Sequence, residues 1–174
     1  MDLLSDFFRH NTMMNQRLVA ACRQLAPDQL DTTVVGTYGS IGATLVHIAD
    51  SQVSYAARLL DVERPEPLGE HPFPGFDALV ARFALGDAQL EAAVMRDDGE
   101  REVVVSGDDP IGSWRMPVAL FLLQAINHGT EHRSQVATIL TQLGIEPPEM
   151  DGWEYLLESG RMIPVEPGTP QPDA

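Results

Sequence analysis

Five histidines stand in this 174-residue chain: His10, His47, His71, His128 and His132. His128 and His132 are four apart in a stretch of helical pattern, which sets both imidazoles on one face, one turn from each other. Two neutral imidazoles held that way can take one divalent ion at about 2.0–2.1 Å each. Phe121, Ala125, Val136 and Ile139 share their stripe, so the pair points inward, where an ion would partner both rings at once. Spacing alone leaves open the plainer alternative of two polar histidines in the core or on the surface. The order His128-Gly129-Thr130-Glu131-His132 lacks the glutamate in second position that a zincin requires, which argues against that kind of metalloprotease.

His47, on a separate helix among Ala43, Thr44, Ser51 and Ser54, is a possible third ligand lining a cavity. Three ligands from two helices leave one coordination position open, the catalytic rather than the structural pattern. Asp50, three residues on, could accept from the free ring N–H of a ligand, or be a solvated acid. Glu131 is a candidate general base for a metal-held water. Adjacent helical positions diverge by about 100°, which favours a surface or dimer contact for it instead. Arg133 and Gln135 read as orienting or interface residues, and His71 as solvent-facing. His10 reads as structural or exposed, Cys22 as buried and inert, and Trp114 and Trp153 as packing anchors. No phosphate cradle, nucleophile elbow or dinucleotide fingerprint is present.

Composition narrows the chemistry. Eleven basic against 26 acidic residues give a net charge of −15, which repels phosphate backbones and excludes nucleic acid as a partner. With Cys22 the single cysteine, there is no intrachain disulfide and no Cys-rich zinc site. The N-terminus has no cationic signal-peptide pattern, and Met116–Thr130 is too short and polar to span a bilayer. The expectation is a soluble, cytoplasmic protein without membrane contact.

Four long helices are needed to carry these residues. The first, about Asp2–Leu25, bears a stripe of Leu4, Phe7, Asn11, Met14, Leu18, Cys22 and Leu25, and ends at Ala26-Pro27-Asp28. The second starts at an N-cap Ser40 and stops near Asp61, before the proline-rich surface loop Glu63–Gly75. The third, about Phe76–Met95, carries Phe76, Leu79, Val80, Phe83 and Leu90 and closes at Asp97-Asp98-Gly99. A hairpin follows, pairing Arg101–Val105 with Ile111–Met116 around a turn at 106–110. The fourth helix, about Pro117–Leu143, ends at Gly144. A short helix at 149–159 and a proline-rich, disordered tail complete the chain.

His128-Gly129-Thr130-Glu131-His132-Arg133-Ser134-Gln135 resembles the "HGxxHRxQ" helix of the DinB/YfiT-like family of metal-dependent proteins. Gly42–Asp50, with His47, resembles the family's second-helix "xLxHIxxxE/D" pattern, and His10–Leu18 is similar to its "YNxWANxRLL". The resemblance runs from residue 1 to about 158. It implies an all-α, antiparallel four-helix bundle over 1–160, with a short extended crossover before the fourth helix and a tail at 161–174. It also implies a homodimer, and a divalent metal ion on His47, His128 and His132. Zn is the first choice, with Ni, Mn or Fe as alternatives, since imidazole selects weakly among them.

Relatives of this kind include S-transferases and isomerases that use low-molecular-weight thiols. The implied function is thiol-dependent S-transfer, or hydrolysis, on a small-molecule substrate. The alternative is a non-catalytic, stress-associated metal-binding protein. His10 stands where the family usually has Tyr, and Met13 where it has Trp, which would change the cleft wall.

Overall fold

The computed structural model describes residues 3–96, 101–106, 112–165 and 168. Within them the chain is mostly helical, with one small sheet. The order is α1 (Leu3–Cys22), α2 (Pro27–Leu30), α3 (Ile41–Leu60), α4 (Phe76–Arg96), β1 (Glu102–Ser106), β2 (Ser113–Pro117), α5 (Val118–Gln142) and α6 (Gly152–Glu158). No helix among the described residues is long and apolar enough to cross a membrane.

The helix ends follow local chemistry. Ser40 caps α3 by accepting from the Ala43 N–H at 3.2 Å, satisfying one of the orphan donors of the first turn. Asp61, at φ 56°, breaks α3 in the left-handed region. At the end of α5, Gly144 takes φ 74°. Its N–H reaches Thr141 O, and that of Ile145 reaches Leu140 O. This is the paired closure in which glycine avoids a Cβ clash. β1 and β2 pair antiparallel, Val103 opposite Met116, and Val118 N–H on Arg101 O at 2.7 Å ties the ribbon to the start of α5.

Helix α1 packs on α4 and α5, and α3 packs on the same two. Their buried faces form two apolar clusters. One gathers Leu18, Cys22, Leu45, Ile48, Leu79, Phe83, Val136 and Ile139. The other gathers Phe8, Leu59, Leu90, Val94, Val118, Phe121 and Leu122. The first takes the C-terminal halves of α1 and α5 and the N-terminal halves of α3 and α4, and the second takes the reverse. So α1 and α5 run one way, and α3 and α4 the other.

Between the clusters lies a polar layer. Arg133 is buried and donates through Nη1 to Asn11 Oδ1 at 2.7 Å and Asn15 Oδ1 at 2.8 Å. Both asparagine amides donate to Gln52 Oε1 at 3.1 Å, and Gln52 Nε2 donates to Asp87 Oδ1 at 2.6 Å. One residue set thus links α5, α1, α3 and α4. Gly129 makes room for it, since a Cβ there would lie 2.9 Å from both Arg133 Nη1 and Asn11 Oδ1.

Several expectations change. Phe8 is buried while Phe7 is half exposed, and Val80 is exposed too. Trp114 and Trp153 are 51% and 65% exposed, so neither is a packing anchor. Helix α6 buries no residue. It is held by polar contacts instead: Tyr155 donates to Asp6, and Arg17 pairs with Glu154 and Glu158. Residues 27–30 form a helical turn of their own. The turns expected at 97–99 and 107–110, and most of the tail beyond 165, lie outside the described residues. Arg161 pairs with Asp6 at 2.6 Å, so the segment assigned to the tail begins with a tethered residue.

Candidate metal centre

His47 sits in the second turn of α3, seven residues beyond the Ser40 cap, and His128 and His132 sit at mid-α5. The packing of α3 on α5 brings the three together, with one ring nitrogen of each within 4.8 Å of the others. His47 Nε2 and His128 Nε2 are 3.1 Å apart. Two ligands on one tetrahedral ion at about 2.05 Å would stand about 3.3 Å apart. His132 is buried, and the other two are half-buried.

Two of the outer nitrogens are engaged as well, those of His132 and His47. His132 Nδ1 lies 2.9 Å from Gln135 Oε1, which also accepts from the Tyr38 backbone N–H at 3.0 Å. His47 Nδ1 faces Glu70 Oε1 at 3.5 Å, and the Tyr38 hydroxyl donates to the same carboxylate oxygen at 2.6 Å. The Tyr38 ring stacks on His47, centroids 3.9 Å apart. Such partners fix tautomer and ring orientation and leave the inner nitrogens as lone-pair donors.

Electrostatics favours the neutral form of His47 and His128. Burial, with His132 and His47 adding to it, holds His128 at about 4. Burial and His132 lower His47, against the pull of Glu70. Burial and the Glu70 hydrogen bond push the Tyr38 hydroxyl up to about 12. Ring nitrogens converging on one point, with the far nitrogen of two of the rings engaged by the protein, fit a divalent ion.

The other candidates lie elsewhere. Asp50 accepts from Leu68 N–H at 2.9 Å and pairs with Arg82 at 3.4 Å, so the carboxylate beside His47 Nδ1 is Glu70. Glu131 is exposed and outside the histidine group. His10 packs edge-on to Tyr155 of α6, and Met13 lines a cavity between α1 and α4. Neither lines the cavity beside His47. His71 is exposed, and burial pushes the Cys22 thiol up to about 12.

Sequence reasoning missed Tyr38 and Glu70. The one available signal for Tyr38 was an aromatic residue set between turn glycines, Gly36 and Gly39, just ahead of a histidine-bearing helix. Glu70 sits in the proline-rich stretch read as a surface loop, but Leu68 and Phe73 pack onto the core from that stretch. It therefore covers the site.

A family model described as the DinB family matches residues 1–165. Among solved structures, a DinB-like protein from Bacillus cereus is similar in fold. Its TM-score is 0.61 at 18% identity, over 82% of this chain and 92% of that one. No curated protein matches the chain.

Proposed function

Because the chain belongs to the DinB family, we propose that His47, His128 and His132 hold one divalent metal ion in an enzyme that acts on a small molecule. The observation that carries this is the convergence of three ring nitrogens within 4.8 Å, two of the rings having their far nitrogen engaged by Gln135 and Glu70. The frame is read as an antiparallel four-helix bundle, two helices each way. Each of α1, α3, α4 and α5 packing on two of the others supports this. The long 61–75 connection then serves the like-directed α3 and α4.

Zn²⁺ is the first choice of ion. Bound there, it supplies a positive charge that favours the deprotonated form of a water or small thiol beside it. The chain supplies the rest. Glu70 and Gln135 hold the imidazoles, Tyr38 shields one ring face, and a cavity of about 350 Å³ opens beside His47. That opening supports turnover over a closed, non-catalytic site. Between the two reactions, thiol-dependent transfer is preferred over hydrolysis on the family resemblance.

The test is to load the protein with Co²⁺ and titrate in small thiols. A sulfur-to-metal charge-transfer band with proton release is the expected result. A spectrum moved by azide or acetate but by no thiol would leave hydrolysis, and one moved by nothing would overturn the enzymatic reading.

A further inference from the structure

The cavity beside His47 has a charge pattern that the histidines do not explain. It lies between α3 and the 61–75 connection, and its lining includes two acids, Asp50 and Glu70, and two arginines, Arg58 and Arg64. The acids are already paired within the protein. Asp50 is taken by Leu68 N–H and Arg82, and Glu70 by the Tyr38 hydroxyl and His47.

The arginines differ. Arg58 donates from Nη1 to Ser54 Oγ at 3.1 Å, which leaves most of its donors to the solvent. Among the described residues no carboxylate pairs with Arg58 or Arg64, and both are exposed. Elsewhere Arg96 is taken by Leu60 O, and Arg133 by the Asn11 and Asn15 oxygens. Arg17, Arg23, Arg82, Arg115 and Arg161 are each paired with a carboxylate.

Two guanidinium groups left without a carboxylate in the lining of one cavity offer unused N–H donors to a small anion that enters it. Their planar forks suit a carboxylate, which can take two parallel N–H donors from each. The hydroxyls of Ser51 and Ser54 add neutral donors along the same wall. Volumes of this order accept a small organic molecule.

We propose that Arg58 and Arg64 form a carboxylate-binding subsite, so that the molecule brought to the histidine centre is a small organic acid. Its carboxylate sits at the arginines, and its other end is directed to His47. This rests on reading that cavity as the substrate site, and it makes the two arginines specificity-determining residues.

The experiment uses the full chain, metal-stripped and Zn²⁺-loaded, with succinate and its neutral analogue succinamide as probes. Binding is followed by calorimetry and by the arginine side-chain N–H signals in NMR spectra. Succinate should bind the loaded protein at least about tenfold more tightly than succinamide. Arg58→Gln together with Arg64→Gln should remove that preference, whereas Arg115→Gln, on the hairpin, should not. Amide spectra and zinc stoichiometry report whether each variant is folded and loaded.

Equal binding of the two probes, no succinate binding, or a double variant that binds succinate like the wild type would each overturn the subsite. If zinc still binds one per chain in those cases, the metal reading stands without it. A wild type that takes no zinc yet shows arginine-dependent succinate binding would keep the subsite and sink the metal reading.

Discussion

Gln135 Oε1 stands 2.9 Å from Nδ1 of His132, one helical turn earlier on α5. The same oxygen accepts from the Tyr38 backbone N–H, which can only donate. So the amide is oriented oxygen-inward, and His132 carries its proton on Nδ1 and presents Nε2 as a lone pair.

Gln135→Ala removes that constraint while leaving three imidazoles in place. Metal stoichiometry should stay at one, and affinity should fall about 10–100-fold. Gln135→Glu, which keeps the acceptor, should recover most of it. Chelator competition measures both, and an unchanged affinity in Gln135→Ala would show that the contact does not set the ring.

His47→Ala, His128→Ala and His132→Ala each delete one of the three proposed ligands. Metal analysis after dialysis should find the ion lost from all three variants and retained in His71→Ala, whose side chain is exposed. Wild-type zinc content in the triple variant would place the ion elsewhere.

Arg133 and Gly129 test the polar layer. Arg133→Ala leaves the Asn11 and Asn15 oxygens without a donor, which should cost about 2–4 kcal/mol of unfolding free energy. Gly129→Ala pushes a methyl against Arg133 and Asn11 and should cost about 1–3 kcal/mol. Urea denaturation of the metal-stripped proteins gives both values. Changes under 0.5 kcal/mol, roughly the level of neutral surface substitutions, would mean that the layer adapts.

Acid should weaken the metal-free protein in a defined window. His128 is held at about 4 in the fold, against an ordinary value of 6.5, so between these values the unfolded chain takes a proton that the folded one refuses. Stability is therefore lost as pH falls from about 6.5 to about 4, and this group contributes no slope above that range. His47 is lowered too and acts in the same direction. Denaturation at pH 7.5, 6 and 5 should show the slope, and His128→Gln should flatten it. An equal slope in the variant would refute the assignment.

Leu120 and Leu123, three apart on α5, are 56% and 59% exposed, and charges are sparse along that helix. We expect a two-fold dimer that covers them. Sedimentation at micromolar concentration should give twice the 19.1 kDa chain mass, and Leu120→Glu with Leu123→Glu should halve it. A wild-type monomer would rule this assembly out.

How far the sequence could be read depended on the range of each interaction. Helix termini are local, so Ser40, Asp61 and Gly144 mark ends that the structure reproduces. The i, i+4 spacing likewise placed His128 and His132 on one face. Contacts that join distant segments left no periodic trace. Glu70 reaches His47 from a loop without regular structure, and Tyr38 reaches Gln135 across 97 positions. Asn11 fell on the apolar stripe of the first helix, but nothing local said that it would answer Arg133, 122 residues away. The tryptophans misled because size was taken as burial, although Trp114 stands on a two-stranded ribbon and Trp153 on a short helix that buries no residue, so neither has much to pack against.

The polar layer also acts as a height gauge. Apolar faces tolerate sliding, because one leucine replaces another. A helix displaced by one turn, about 5.4 Å, would set the Arg133 charge among leucines and strand the amides of Asn11, Asn15 and Gln52. That penalty fixes α5 axially against α1 and α3. His132 is the neighbour of Arg133, and His47 is five residues before Gln52. The same alignment therefore sets the level at which the three imidazoles meet, and the leucines at either end of the helices are free to vary without moving them.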